Sequence, residues 1–113
     1  MSKRIDQVNQ LIQEELSQII LKEIEFPKNV LVTLTRVETT PNLIESKVFI
    51  SVMPEDKMDE VFRILNERIY EIQQMLNKRL KMRPVPRIEF WKEKKTSEAG
   101  RIEEILEKLK KKK

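Results

Sequence analysis

The sequence predicts an α+β domain in which three strands are covered on one face by helices. Three stretches carry apolar residues at helical spacing, and three short runs alternate or are rich in β-branched residues. Their order is helix, strand, strand, long helix, strand, short helix. With 113 residues, 39% of them hydrophobic, the chain suits one small domain whose core needs no covalent staple. We expect that domain over residues 1–109, followed by a frayed basic tail at 110–113, because blocks of like charge repel.

The first helix is read from Ile5, Val8, Leu11, Ile12, Leu16, Ile19, Ile20 and Ile24, recurring every three or four residues. It should run from about Lys3 to Glu25 and stop where Phe26 precedes Pro27, since a pre-proline residue is biased away from helical geometry. Gln7, Gln10, Glu14 and Gln18 fall on its solvated side. Val30–Glu38 and Ile44–Val52 then read as a β-hairpin with a connection of five residues, Thr39 to Leu43. On the second strand Val48, Ile50 and Val52 share the packed face, with Lys47, Phe49 and Ser51 opposite. Phe49 is more simply a hydrophobic contact on the sheet than a stacking platform, because such platforms use paired aromatics.

After Pro54 a second stripe runs through Met58, Val61, Phe62, Leu65, Ile69, Ile72, Leu76 and Leu80, and its periodicity describes one unbroken helix from about Asp56 to Lys81. A straight helix of that length would extend roughly 38 Å and overrun a three-stranded sheet, so a bend between Glu67 and Glu71 is expected. Pro84, Val85 and Pro86 impose an extended turn. Arg87 to Trp91 follows as strand three, with Ile88 and Phe90 inward and Trp91 on the other face near Arg87 and Glu89. Ser97 is a candidate cap for a last helix carrying Ile102, Ile105, Leu106 and Leu109.

Charge is concentrated. Between Lys78 and Lys95 there are eight Lys or Arg against two Glu, a balance of +6, whereas Glu55 to Asn77 sums to −3. Lys78, Arg79 and Lys81 also lie where cations complement a helix C-terminus, so helix stability alone accounts for part of the pattern. The whole chain carries +4 with a pI near 9.4, compatible with an anionic partner but mild for binding by charge alone. A 37% charged content also suits a heat-adapted protein held by ion-pair networks, a reading that needs no partner.

Several chemistries are excluded or disfavoured. No Cys and no His means no disulfide, no thiol catalysis and no common zinc ligand set. One glycine, Gly100, cannot build a phosphate-cradling loop. The adjacent carboxylates Glu14 and Glu15, or Glu103 and Glu104, point about 100° apart on a helix and do not form an acid and base pair. No enzyme activity, cofactor or metal is expected. Neither a signal peptide nor a stretch of about 18 apolar residues is visible, so a cytoplasmic location without a membrane partner is expected. An amphipathic membrane helix at 98–113 would set Glu98, Glu103, Glu104 and Glu107 against anionic lipid.

Four ordered segments carry a resemblance spanning nearly the whole chain: the VTLTxV strand within Leu31–Val37, SKVFISV over Ser46–Val52, LKMRPVPRIEF over Leu80–Phe90, and Arg101–Ile102 heading the last apolar pattern. Together they resemble the ribosome-binding factor A family. The resemblance implies a type II KH-like fold in which an Ala-x-Gly kink breaks the long helix in place of a GxxG loop. It implies a non-enzymatic bacterial assembly factor that binds the small (30S) ribosomal subunit and 16S rRNA near its 5′-terminal helix. It further implies a role in late maturation and rRNA processing, notably in the cold, beside assembly GTPases, with the factor itself a monomer. This chain departs at the kink, where Arg68, Ile69 and Tyr70 supply neither Ala nor Gly. It departs again near its end, where the family's Asp-x-Ser and Gly-x-Arg-Ile appear as Glu93-Lys94-Lys95 and Ala99-Gly100-Arg101-Ile102.

Two functional classes follow. In the first, an RNA-binding factor, Lys78, Arg79, Lys81, Arg83, Arg87, Lys92, Lys94 and Lys95 contact phosphates and Arg68 and Arg101 flank the groove. In the second, a protein-interaction module, helix one or the C-terminal apolar stripe pairs with a partner and the charges only solubilise. Salt-sensitive binding to small subunits separates the first from salt-insensitive association in the second.

Overall fold

The computed structural model describes residues 3–93. Within them the order is α1 (Lys3–Glu23), β1 (Leu31–Thr39), β2 (Glu45–Met53), a 3-10 turn (Glu55–Lys57), α2 (Met58–Glu67), α3 (Ile69–Arg79) and β3 (Arg87–Lys92). The expected last helix and basic tail lie outside the described residues.

Helix α1 is the amphipathic helix its spacing predicts: Val8, Ile12, Leu16, Ile19 and Ile20 are buried, and Gln7, Gln10, Glu14 and Gln18 are exposed. It ends at Glu23, two residues before the expected stop, yet Ile24 still reaches the core. The chain reverses through Asn29 at φ 63°, a left-handed position that asparagine tolerates because its short amide bonds locally.

β1 and β2 pair antiparallel and β3 joins β2 in parallel, giving the order β1-β2-β3. A parallel neighbour requires a crossover, and α2 with α3 supplies it. The hairpin connection has the expected five residues but sits one residue later, at 40–44, and both strands shift with it. Hydrogen bonding explains the offset. The Thr39 hydroxyl is buried and donates to Asn9 Oδ1 on α1 at 2.5 Å; its single proton being spent there, Ser46 is the donor in the 2.8 Å contact between the two hydroxyls. Thr40 N–H donates to Glu45 O and Leu43 N–H to Thr40 O, which holds Leu43 at φ 61° with its side chain against the core.

The stripe after Pro54 makes two helices. It begins with the 3-10 turn, so α2 starts at Met58, two residues later than expected, and α3 ends at Arg79 because Leu80 is extended. Between them Arg68 sits at φ −110° and ψ 13°. That is the sparsely allowed bridge region on the negative-φ side, which needs no glycine. The break expected between Glu67 and Glu71 is therefore present without the family's small residues, and the unbroken helix described by periodicity alone is corrected. Each half turns its own pair inward, Val61 and Leu65 from α2, Ile72 and Leu76 from α3.

One core joins these helices to the inner sheet face through Val37, Val48, Ile50, Val52 and Ile88. Phe90 is partly buried against it, as its alternation predicts. On the outer face Phe49 is covered by the Arg36 guanidinium, 3.8 Å from the ring centroid, and Trp91 donates to Glu89 Oε1 at 3.0 Å. Phe49, only 8% exposed, is thus a sheet contact and no open stacking surface.

Candidate nucleic-acid interface

The basic stretch is built at one end of the fold, where α3 stops and β3 starts. Leu80 is buried and extended, and its N–H donates to Leu76 O as the last helical bond. The chain then passes Lys81 to Pro86 before Arg87 N–H bonds Ile44 O. Gln73 of α3 fixes this passage with all its polar atoms: Nε2 donates to Pro86 O and to Asn77 Oδ1, both at 3.1 Å, and Oε1 accepts from Ile88 N–H at 2.9 Å. One helix side chain thereby sets where the turn ends and the strand begins.

Beside it lies a cleft of about 390 Å³ lined by Gln73, Asn77, Arg83, Pro84, Val85 and Arg87. Arg83 donates from Nη1 to Leu80 O at 2.9 Å and Met82 O at 2.6 Å, which pins the head of the turn. Arg87 pairs with Glu45 across the β2–β3 edge, with 68% of its side chain still exposed. Lys78 and Lys81 are exposed and form no side-chain ion pair or hydrogen bond among the described residues. Arg83 and Arg87 thus line one cleft, and Lys78 and Lys81 are exposed in the same stretch of chain, where α3 ends. Exposed pairs such as Arg87 with Glu45 contribute only about 0–1 kcal/mol, so an incoming phosphate displaces them at small cost.

The other predicted residues divide. Arg79 is turned toward α1, donating at 3.1 Å to both Glu15 and Gln18. It ties α3 to α1. Arg68 lies at the helix break, roughly 16 Å from Arg79 along α3, and is held by Glu71 at 2.7 Å and by Glu23 O at 3.1 Å. Lys92 is at the far end of β3, bonded to Asp59 at 3.0 Å and 5.9 Å from the Phe62 ring centroid. Lys94, Lys95 and Arg101 lie outside the described residues.

Gln73 and Asn77 were not singled out by sequence. Their only signal is a spacing of four on a helix whose buried residues are Ile72 and Leu76, which places two amides on one flank of that stripe. Among the described residues no cluster of three or more Asp or Glu is arranged to hold a metal ion. Nor is any described helix long and apolar enough to cross a membrane.

Helices on one face of a mixed three-stranded sheet, in the order α-β-β-α-α-β, are consistent with a KH-like domain of type II. A family model described as ribosome-binding factor A matches residues 4–106. The ribosome-binding factor A of Bdellovibrio bacteriovorus is 33% identical over 108 residues, covering 95% of this chain and 81% of that protein. The crystal structure of ribosome-binding factor A from Thermus thermophilus matches with a TM-score of 0.68 at 22% identity, covering 78% of this chain and 93% of that one. A homology model of the Thermus thermophilus factor, fitted into the cryo-EM map of its complex with the 30S subunit, matches at 0.61 and 23% identity, covering 72% and 86%. The structural matches carry the fold, and the sequence matches carry the family. This chain belongs to the ribosome-binding factor A family.

Proposed function

We propose that the protein is a non-catalytic assembly factor that binds the small ribosomal subunit, with its basic cleft against 16S rRNA phosphates. The observation that carries this reading is the match to ribosome-binding factor A across residues 4–106, together with the Thermus thermophilus relative fitted into a map of its 30S complex. The basic residues where α3 ends support it chemically: the guanidinium groups of Arg83 and Arg87 line an open concave surface, and the exposed ammonium groups of Lys78 and Lys81 have no side-chain partner among the described residues, a set that suits phosphate oxygens.

In this reading residues 1–109 act as one RNA-binding unit, as a cytoplasmic monomer, contacting 16S rRNA near its 5′-terminal helix. The partner phase is late maturation and rRNA processing, in which assembly GTPases also act. Sedimentation of the protein with purified small subunits across a salt series tests the core of it. Co-sedimentation should fall steeply as salt rises, because phosphate contacts release counterions. Absence of binding at low salt, or binding indifferent to salt, rejects the RNA-binding reading in favour of a protein-interaction module.

A further inference from the structure

A second concave surface lies on the other side of the molecule, and its chemistry differs from that of the basic cleft. It is a groove of about 280 Å³ between α1 and β1, lined by apolar side chains that include Ile20, Leu21, Phe26, Leu31, Val32 and Leu34. Among the described residues β1 is an edge strand, paired only with β2, so one side of the groove is open. At its lip Leu21 is 82% exposed and Leu31 is 62% exposed. Phosphates have no affinity for such a lining; an apolar occupant does.

The path of the chain supplies one. The described residues end at Glu93, whose N–H bonds Ile50 O at 2.9 Å and so prolongs the β2–β3 ladder. Its carboxylate reaches across β2 to β1, accepting from Thr35 Oγ1 at 2.6 Å and Arg36 Nε at 2.9 Å. Thr35 is the bulged residue where the register shifts, and it directly follows Leu34 of the groove lining. The chain therefore leaves the sheet tied to the strand that forms the groove.

Residues 94–113 carry a stripe at Ile102, Ile105, Leu106 and Leu109, at spacings of three, one and three that make one helical face. Residues 94–101, when extended, span up to about 28 Å, against two strand spacings of about 10 Å in all between β3 and β1. Ile102 can reach the groove. A helix of this length is marginal in water unless a surface buries its apolar face. The groove is an apolar surface within that reach.

We propose that the stripe Ile102, Ile105, Leu106 and Leu109 docks in the α1–β1 groove of its own chain, covering Leu21 and Leu31. The proposal stands apart from RNA binding and holds whether or not the cleft contacts rRNA.

The test uses the full chain, which has no native cysteine. Leu21→Cys is combined with Leu106→Cys, and Leu11→Cys with Leu106→Cys serves as control, since Leu11 lies about 15 Å away along α1. Mild oxidation should give an intramolecular disulfide in the first pair and several-fold less in the second. Thiol labelling of the single variant Leu21→Cys should be several-fold faster when Ile102→Asp and Leu106→Asp are added, with melting temperature measured on each protein to show that it is folded. Equal crosslinking in both pairs, or equal labelling rates, overturns the proposal. Crosslinking found only between chains overturns it in favour of a second copy as occupant.

Discussion

Thr39 shows how a single hydroxyl sets a boundary. Its place at the end of β1 is fixed by bonds to Asn9 and Ser46, and Ser46 is fully buried. Replacing Thr39 with Val keeps the shape but leaves both partners without their bond, and an unsatisfied buried polar group costs about 1–3 kcal/mol. Denaturant unfolding of Thr39→Val should show a loss in that range. Ser46→Ala, which removes a donor and leaves the Thr39 bond to Asn9, should lose less. None of this is visible in sequence, where a threonine between two strands reads as turn chemistry. By contrast the alternation that put Val48, Ile50 and Val52 inward was legible, because strand geometry fixes the side of every second residue. Gln73 was not legible, since its three bonds join residues 13 to 15 positions away as well as its neighbour Asn77. Gln73→Leu should cost about 1–3 kcal/mol and loosen the entry to β3, seen as faster amide exchange at Ile88.

At the scale of elements, the break between α2 and α3 separates what periodicity can tell from what it cannot. The apolar stripe continues in phase through the break, so the pattern alone describes one helix; the span of the sheet is what forbids it. Arg68 takes up the break with backbone angles open to any residue, and its side chain ties the break to the end of α1 through Glu23 O. Arg68→Ala should therefore leave the break in place, with backbone chemical shifts of Glu67 to Tyr70 still departing from helix. Its stability should fall only slightly, by about 0.5–1.5 kcal/mol for the lost bonds. Continuous helical shifts through this region in the variant would mean that the arginine side chain, and not the packing of Val61, Leu65, Ile72 and Leu76, makes the break. Strand ends also moved by a residue, for the same reason as at Thr39: long-range hydrogen bonds, not local propensity, chose them.

At the scale of the whole molecule, the sequence located the basic segment but not the direction of each charge. Of the described residues expected to contact phosphate, Arg79 and Arg68 are spent on joining helices, Lys92 faces α2, Arg83 and Arg87 line the cleft, and Lys78 and Lys81 are exposed where α3 ends. Burial and ion pairing, which no linear pattern displays, made that division. It also divides the outcome of mutation. Arg79→Ala removes the bond between α3 and α1 and should lower the melting temperature, with a stability loss of about 0.5–1 kcal/mol for a partly buried pair. Lys78→Ala with Lys81→Ala removes two charges that have no side-chain partner among the described residues, and Lys78 only complements the C-terminus of α3, so stability should fall by no more than about 0.3–1 kcal/mol. If both lysines meet phosphates, binding to small subunits weakens and the logarithmic salt slope falls by roughly 0.7 to 0.9 for each. Titrating the double variant and the parent protein with small subunits at several salt concentrations reads both quantities at once. Unchanged slopes with unchanged stability would move the rRNA contact away from this end of α3.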